Sequence, residues 1–284
     1  MRITFVFVYM LEYKPIASMA GQGTKSRSTF WYSKFMKQLD EKVAIITGAS
    51  SGIGEAIALA FAMEGCRVVL VSRSLEKLEA VRQRLMSTEC EIHEPLVFVA
   101  DVSSEDDVVG LFENVIAAHH RVDILVNNAG VALGGLCEEI ELSTWQTVIN
   151  TNVTGAFLCG REAFRVMKPQ GGGRIINIGS VSAMVPRLNA IPYTTSKFAL
   201  KGMTHGMALD GRDHGISVSV IEPGNVRTPL WETNPNGKKI MQEEGAMDPS
   251  DIARVAMLMA TLPPDVNMVE STLLPLSMPF LGRG

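Results

Sequence analysis

The chain has 284 residues, 46% hydrophobic and 20% charged, enough for one large core, and its size reads as a single folded domain. The net charge is −4 with no Lys/Arg-rich block, so the electrostatic footprint of a phosphate-backbone binder is missing and nucleic acid is not an expected partner. Cys66, Cys90, Cys137 and Cys159 are widely spaced, with no CxxC or Cys/His ligand pattern. That predicts reduced, mostly buried thiols, no metal site and a reducing, cytoplasmic compartment.

Residues 1–38 do not resemble the rest. An apolar run from Ile3 to Leu11 is far shorter than the ~18 residues a membrane span requires, and the stretch from Tyr13 to Leu39 carries Lys and Arg but no acid. It reads as an upstream extension without a fold of its own, with an organellar targeting peptide as the alternative. Residues 1–35 are therefore expected to be dispensable, because the strong pattern begins only after Met36.

From residue 39 to 284 short β-branched runs alternate with stretches of helical period, the mark of βαβ units around a parallel sheet. The predicted strands are Val43 to Thr47, Arg67 to Ser72, Leu96 to Ala100, Ile124 to Val126, Arg174 to Ile178, Ile216 to Ile221 and Met268 to Leu274. The expected fold is an α/β, Rossmann-type doubly wound sandwich with a seven-stranded parallel sheet. Two helix starts carry local signals: Ser143 with Gln146 as a capping box, and Asp248 with Pro249 and Asp251 as an N-cap. The helix from Tyr193 to Asp210 and the segment from Trp145 to Met167 are apolar around much of their circumference, so both need cover on two sides. A long segment, residues 226–247, carries Trp231 and several turn residues and reads as a lid over a site.

Ligands of such sheets bind beyond the carboxyl ends of the strands, and that is where the Gly and polar clusters fall. Thr47-Gly48-Ala49-Ser50-Ser51-Gly52-Ile53-Gly54 follows the first strand and opens a helix, offering backbone N–H groups to a pyrophosphate. Ser72 and Arg73 end the second strand with no acid at that corner. A ribose 2′-phosphate is therefore favoured over a 2′-hydroxyl, which points to NADP(H). Asp101 follows the third strand, either as a ligand contact or as a helix-capping acid before Ser103. Tyr193 and Lys197 lie one helical turn apart and form a proton-transfer pair. Ser180, thirteen residues before Tyr193, can hydrogen-bond the same substrate oxygen, with Ser182 as the less well placed rival.

On these residues the chain resembles the short-chain dehydrogenase/reductases of the single-domain type. The resemblance rests on the TGxxxGxG turn at Thr47 to Gly54, Asp101-Val102, Asn127-Asn128-Ala129-Gly130, Ser180, Tyr193-x-x-x-Lys197 and Pro223-Gly224, in order and at family spacing. It implies that Tyr193 is the general acid/base, that Ser180 orients the carbonyl, and that Lys197 binds the nicotinamide ribose and lowers the tyrosine pKa. Asn152 looks like the family's helix residue that holds a relay water. Asp101 and Val102 would contact adenine, and Asn128, Ala129 and Gly130 would floor the cofactor. Pro223, Gly224, Val226 and Thr228 would line the nicotinamide side. The implied activity is NADP(H)-dependent hydride transfer with a small carbonyl or secondary alcohol, by a metal-free, cytoplasmic homodimer or homotetramer with no membrane attachment. The C-terminal end is most like 3-hydroxy acid and serine dehydrogenases and generic carbonyl reductases. A cofactor-holding redox sensor and a nucleotide-sugar epimerase are the rival classes; the first would have lost part of the Asn/Ser/Tyr/Lys set, and the second carries an extra substrate domain.

Overall fold

The computed structural model of the chain describes residues 37–231 and 237–280, with the side chains of Trp231 and Lys238 left out. The expectations for residues 1–36, for part of the 226–247 segment and for the Trp231 side chain lie outside these described residues.

Fifteen helices and strands follow in order: β1 (Val43–Thr47), α1 (Gly52–Met63), β2 (Arg67–Ser72), α2 (Leu75–Met86), β3 (Leu96–Val99), α3 (Glu105–His119), β4 (Ile124–Asn127), α4 (Leu142–Ile149), α5 (Gly155–Gln170), β5 (Gly173–Ile178), α6 (Ile191–Gly211), β6 (Ile216–Pro223), α7 (Gly237–Glu244), α8 (Pro249–Thr261) and β7 (Glu270–Leu273). The strands form one parallel sheet in the order β3-β2-β1-β4-β5-β6-β7. This is the doubly wound architecture expected from the alternating pattern.

β1 shows why the sheet needs cover on both faces. Its five residues are all buried, and its side chains alternate between two cores as a period of two dictates. Ala44 and Ile46 join Ile57 and Phe61 of α1, Leu78 and Leu85 of α2, and Ile252 and Met259 of α8. Val43 and Ile45 join Leu111 and Phe112 of α3 and Leu158 and Met167 of α5, with Met207 of α6 packed alongside. The chain runs from β1 outward to β3 and returns to β4 on the other side of β1, which opens a crevice at the carboxyl ends of β1 and β4.

The strand predictions hold to within two residues at every end. The widest differences, of two residues, are at β6, which runs on to Pro223 rather than ending at Ile221, and at β7, which begins at Glu270, not Met268. The Asp248 start is present as read: the Asp248 carboxylate accepts from Ser250 N at 3.0 Å and the Asp251 carboxylate accepts from Asp248 N at 3.1 Å. The Ser143 capping box is corrected. Glu141 takes the extended N-cap conformation and α4 starts at Leu142, so Ser143 already lies inside the first turn and caps nothing. The thiols are corrected by half: all four are free, but only Cys66 and Cys159 are buried, while Cys90 and Cys137 are exposed because they sit on loop and 3₁₀ segments. The two apolar helices also leave large side chains in the open, with Phe157 of α5 44% exposed and Phe198 and Leu209 of α6 49% and 62% exposed. Among the described residues no helix is long and apolar enough to cross a membrane.

The amino end of the sheet is closed by Asp123. Its carboxylate accepts from Val43 N at 3.0 Å, Lys42 Nζ at 3.1 Å and Arg121 Nε at 2.8 Å. Burial pushes this carboxyl up, but Arg121, Val43 N–H and Lys42 together hold it below its ordinary value. A depressed folded-state pKa stabilises fully above the ordinary carboxylate range and loses that contribution as pH falls through the folded value. Asp123→Asn is expected to lower the unfolding free energy by about 1–3 kcal/mol at neutral pH. The gap to the unmodified chain should close in acid below about pH 4, as measured by urea denaturation across pH.

Candidate active site

The turn after β1 is built around two glycines in the left-handed region, Gly48 at φ +64° and Gly52 at φ +59°, where a side chain would be strained. A third, Gly54, lets the chain fold onto itself: a Cβ there would press on Gly48 O and come 2.5 Å from Asn128 Nδ2. Ser51 is the N-cap of α1 but makes no side-chain hydrogen bond to it, so the helix start keeps its first-turn N–H groups uncapped by a side chain. Ser50, Ser51 and Ile53 are half-buried along this turn. Thr228 approaches from the segment after β6, its Cγ2 3.0 Å from where a Gly52 Cβ would stand. This cradle fits a pyrophosphate, being close backbone with free donors at a positive helix end.

The neighbouring strand ends supply the remaining parts. At β2, Ser72 accepts from Ser74 N at 3.3 Å, and Arg73 is exposed with no hydrogen bond or ion pair among the described residues. At β3, the capping reading of Asp101 is corrected. Its Oδ1 accepts from Ser103 N at 2.9 Å and Ser103 Oγ at 2.6 Å, while the N-cap of α3 is Ser104. Those Ser103 bonds outweigh burial and, with the charge of Arg73, hold the Asp101 carboxyl below its ordinary pKa. Val102 is buried against Gly155. At β4, Asn128 donates through Nδ2 to Thr47 O at 3.0 Å and Gly48 O at 3.1 Å, and Ala129 N donates to Thr47 Oγ1 at 3.1 Å. Gly130 faces Asn152, leaving 3.3 Å between Asn152 Oδ1 and an added Cβ. At β6, Pro223 ends the strand, Gly224 N donates to Leu273 O at 2.7 Å, and buried Val226 pairs with Met247.

The chemistry-bearing side chains converge between β5 and α6. Ser180 lies at the end of β5 with extended backbone, 9% exposed, and its Oγ accepts from Ser182 N at 3.1 Å. Ser182 thus supports Ser180, whose hydroxyl is placed beside the Tyr193 phenol. Burial raises the Tyr193 pKa above its ordinary value, and the neighbouring Ser180 hydroxyl opposes that rise. One turn on, the Lys197 ammonium is buried, donates to Ile178 O at 2.8 Å and lies 5.4 Å from the Tyr193 ring centre. Burial alone lowers the Lys197 pKa to about 8.

Asn152 sits in a π-helical stretch, Asn150–Thr154, that joins α4 to α5. Its Oδ1 accepts from Val131 N at 2.8 Å, and its Nδ2 donates to Val131 O at 2.9 Å and Ser196 Oγ at 3.0 Å. Ser196 Oγ in turn donates to Tyr193 O at 2.7 Å, so Asn152 braces the helix that carries the tyrosine. Sequence reasoning missed several buried polar partners. Thr47, Asn127, Asn177, Ser196 and Thr204 are all buried, and Asn127 Nδ2 donates to Asn177 Oδ1 at 2.9 Å while Asn177 Nδ2 donates to Thr204 Oγ1 at 2.8 Å. The available signal was an Asn inside the apolar run Ile175-Ile176-Asn177-Ile178.

The chain is similar to known proteins along most of its length. The family described as short chain dehydrogenase matches residues 42–239. An uncharacterized oxidoreductase of Staphylococcus saprophyticus is 34% identical over 241 residues, covering 84% of this chain and 100% of that one. A 3beta-hydroxysteroid dehydrogenase of Mediterraneibacter gnavus is 36% identical over 227 residues, covering 78% of this chain and 81% of that one. Among solved structures, a metagenomic short-chain oxidoreductase in complex with NADP superposes with a TM-score of 0.73 at 33% identity, covering 84% of this chain and 98% of that one.

The tightness of the first turn gives a paired stability test. Gly54→Ala forces backbone against backbone and is expected to cost about 1–3 kcal/mol. Gly110→Ala, within α3 and with nothing within 4 Å of the added methyl, is expected to gain about 0.5–1 kcal/mol from helix propensity. Opposite signs in chemical denaturation support the described packing; equal signs contradict it.

Proposed function

The chain belongs to the short-chain dehydrogenase/reductase family, and on that premise we propose that it is an NADP(H)-dependent oxidoreductase acting on a small ketone, aldehyde or secondary alcohol. The observation that carries the proposal is the convergence of Ser180 at the end of β5 with Tyr193 on α6, the buried Lys197 ammonium 5.4 Å from the tyrosine ring centre and bonded to Ile178 O. In this reading Ser180 Oγ and the Tyr193 hydroxyl bind the substrate oxygen, and Tyr193 delivers its proton to that oxygen in reduction or takes it in oxidation. A phenol raised by burial holds its proton well but gives it up only with help. Lys197 offers that help as a neighbouring positive charge, while its own lowered pKa keeps it close to neutral titration. Asn152 acts through Ser196 to hold Tyr193 in place.

The turn at Gly48, Ser50, Ser51, Gly52, Ile53 and Gly54 would hold the cofactor pyrophosphate. Asp101 and Val102 would meet the adenine, Asn128, Ala129 and Gly130 would form the floor, and Lys197, Pro223, Gly224, Val226 and Thr228 would stand on the nicotinamide side. Bound there, the nicotinamide supplies or accepts the hydride. Arg73, exposed and without a hydrogen bond or ion pair among the described residues, supports NADP(H) over NAD(H), because a guanidinium fork suits a 2′-phosphate. The folded enzyme unit in this proposal is residues 39–284. The exposed Phe157, Phe198 and Leu209 of α5 and α6 support a homodimer or homotetramer.

Two measurements test the proposal. Against a panel of ketones, aldehydes, keto acids and keto-esters, Tyr193→Phe is expected to lose about 10²- to 10⁴-fold in turnover while still binding NADPH by fluorescence titration. Near-normal turnover in that variant would remove Tyr193 from the mechanism. The unmodified chain is expected to favour NADPH over NADH in kcat/KM, and Ser72→Asp with Arg73→Ala to reverse the order. Equal use of both cofactors by the unmodified chain would refute the NADP(H) assignment.

A further inference from the structure

Ser180 and Tyr193 are joined by a loop whose first residues, Val181–Ala183, are buried against α6 and β6, yet both must meet the same substrate oxygen. Beyond them, the rest of the loop is tied on two sides among the described residues. On one side Asn189, in the left-handed conformation at φ +59°, accepts at its carbonyl from Gly135 N at 2.9 Å. Gly134 is required there, since a Cβ would strike Asn189 O. On the other side Arg187 reaches across to two residues beyond β6. Its Nη2 donates to Glu244 Oε2 at 2.6 Å and to Asn225 Oδ1 at 3.0 Å, and its Nη1 lies 3.4 Å from Glu244 Oε1. Asn225 closes the triangle, donating through Nδ2 to Glu244 Oε2 at 2.9 Å and to Gly245 O at 3.2 Å.

This triangle is well placed to transmit position. Asn225 is 1% exposed and directly follows Pro223-Gly224, and its carbonyl accepts from Met247 N at 2.9 Å. Glu244 is the last residue of α7, and its carbonyl accepts from Ser277 Oγ at 2.8 Å. Burial pushes the Glu244 carboxyl up, but Arg187 and Asn225 outweigh it and keep the group ionised. A bidentate guanidinium–carboxylate pair with a third donor on the same oxygen has direction as well as strength.

We propose that Arg187, Glu244 and Asn225 form a polar clamp that seats α7 against the Ser180–Tyr193 loop, making Arg187 and Glu244 positioning residues for substrate binding. The clamp acts through the loop and through α7, not on the reacting atoms, and its catalytic consequence rests on the oxidoreductase reading of Ser180 and Tyr193.

The test uses the full chain with Arg187→Met, Glu244→Gln and the exchanged double variant Arg187→Glu with Glu244→Arg. In both single variants, backbone amides of residues 237–247 are expected to exchange with deuterium about tenfold faster without any ligand. KM for the best panel substrate should rise about tenfold, with kcat and the NADPH dissociation constant changed less than about twofold. The double variant, which restores opposite charges, should recover part of both effects. Unchanged exchange over 237–247 in both single variants would overturn the clamp. Faster exchange with unchanged KM would overturn the positioning role and leave a purely structural tie. A chain that turns over no panel substrate would count against the oxidoreductase reading, and the exchange data would still decide the clamp.

Discussion

The hydroxyl of Thr47 is the point on which the crevice depends. It donates to Val126 O at 3.2 Å and accepts from Asn128 N at 3.0 Å and Ala129 N at 3.1 Å, while the Asn128 amide returns to Thr47 O and Gly48 O. These bonds cross the gap between β1 and β4, where strand order reverses and the sheet itself can no longer pair the two chains. Each is worth only about 0.5–1.5 kcal/mol net. Their value lies in direction, because they fix the glycine turn and the floor beneath it as one rigid piece. A valine would fill the same volume at position 47 and leave the Asn128 and Ala129 N–H groups without that acceptor.

A second polar path runs from that floor to the helix bearing the proton donor. Asn127, Asn177 and Thr204 link β4, β5 and α6 inside the sheet, and Thr204 Oγ1 donates to Leu200 O at 2.8 Å within the helix. Lys197 adds its own bond to Ile178 O. A helix docked only by apolar side chains could slide by a fraction of a residue at little cost. Buried polar groups that lose their partners cost far more, so α6 has one register. Further along the same helix, Lys201 lies 3.4 Å from the fully buried Glu222 and 2.8 Å from Glu270, and His205 meets Glu270 at 2.5 Å. Burial raises the Glu222 pKa against the pull of Lys201, so the cation that the helix brings to this corner offsets part of the cost of burying that carboxyl.

What was legible in the sequence follows from range. Val43 to Thr47 reads as a buried strand because five adjacent residues say so, and the Asp248 start reads correctly because its partners lie within three residues. Ser143 misled because the same short signal fits two frames, and the extended conformation of Glu141 selected the earlier one. Asp101 was read as either cap or contact, and the chain gives its carboxylate to Ser103 while leaving the cap to Ser104. Arg187, Asn225 and Glu244 were invisible for the opposite reason. They are far apart in sequence, and only the packing of α7 brings them together. The half-exposed Phe198 and Leu209 show the same limit, since apolar periodicity predicts a face to be covered but not what covers it.

The π-helical stretch at Asn150–Thr154 has a consequence for anyone redesigning this protein. It accommodates one more residue than an α-helix would over the same rise, so it acts as a phase shift between α4 and α5. Deleting a single residue there to make a regular helix would leave both helices intact as secondary structure. The join would then turn by about 100°, and either the core face of α5 or the aim of Asn152 toward Val131 and Ser196 would be lost. Idealising the backbone at this point, a step that usually makes a scaffold sturdier, would here unbrace Tyr193 while leaving the circular dichroism spectrum almost unchanged.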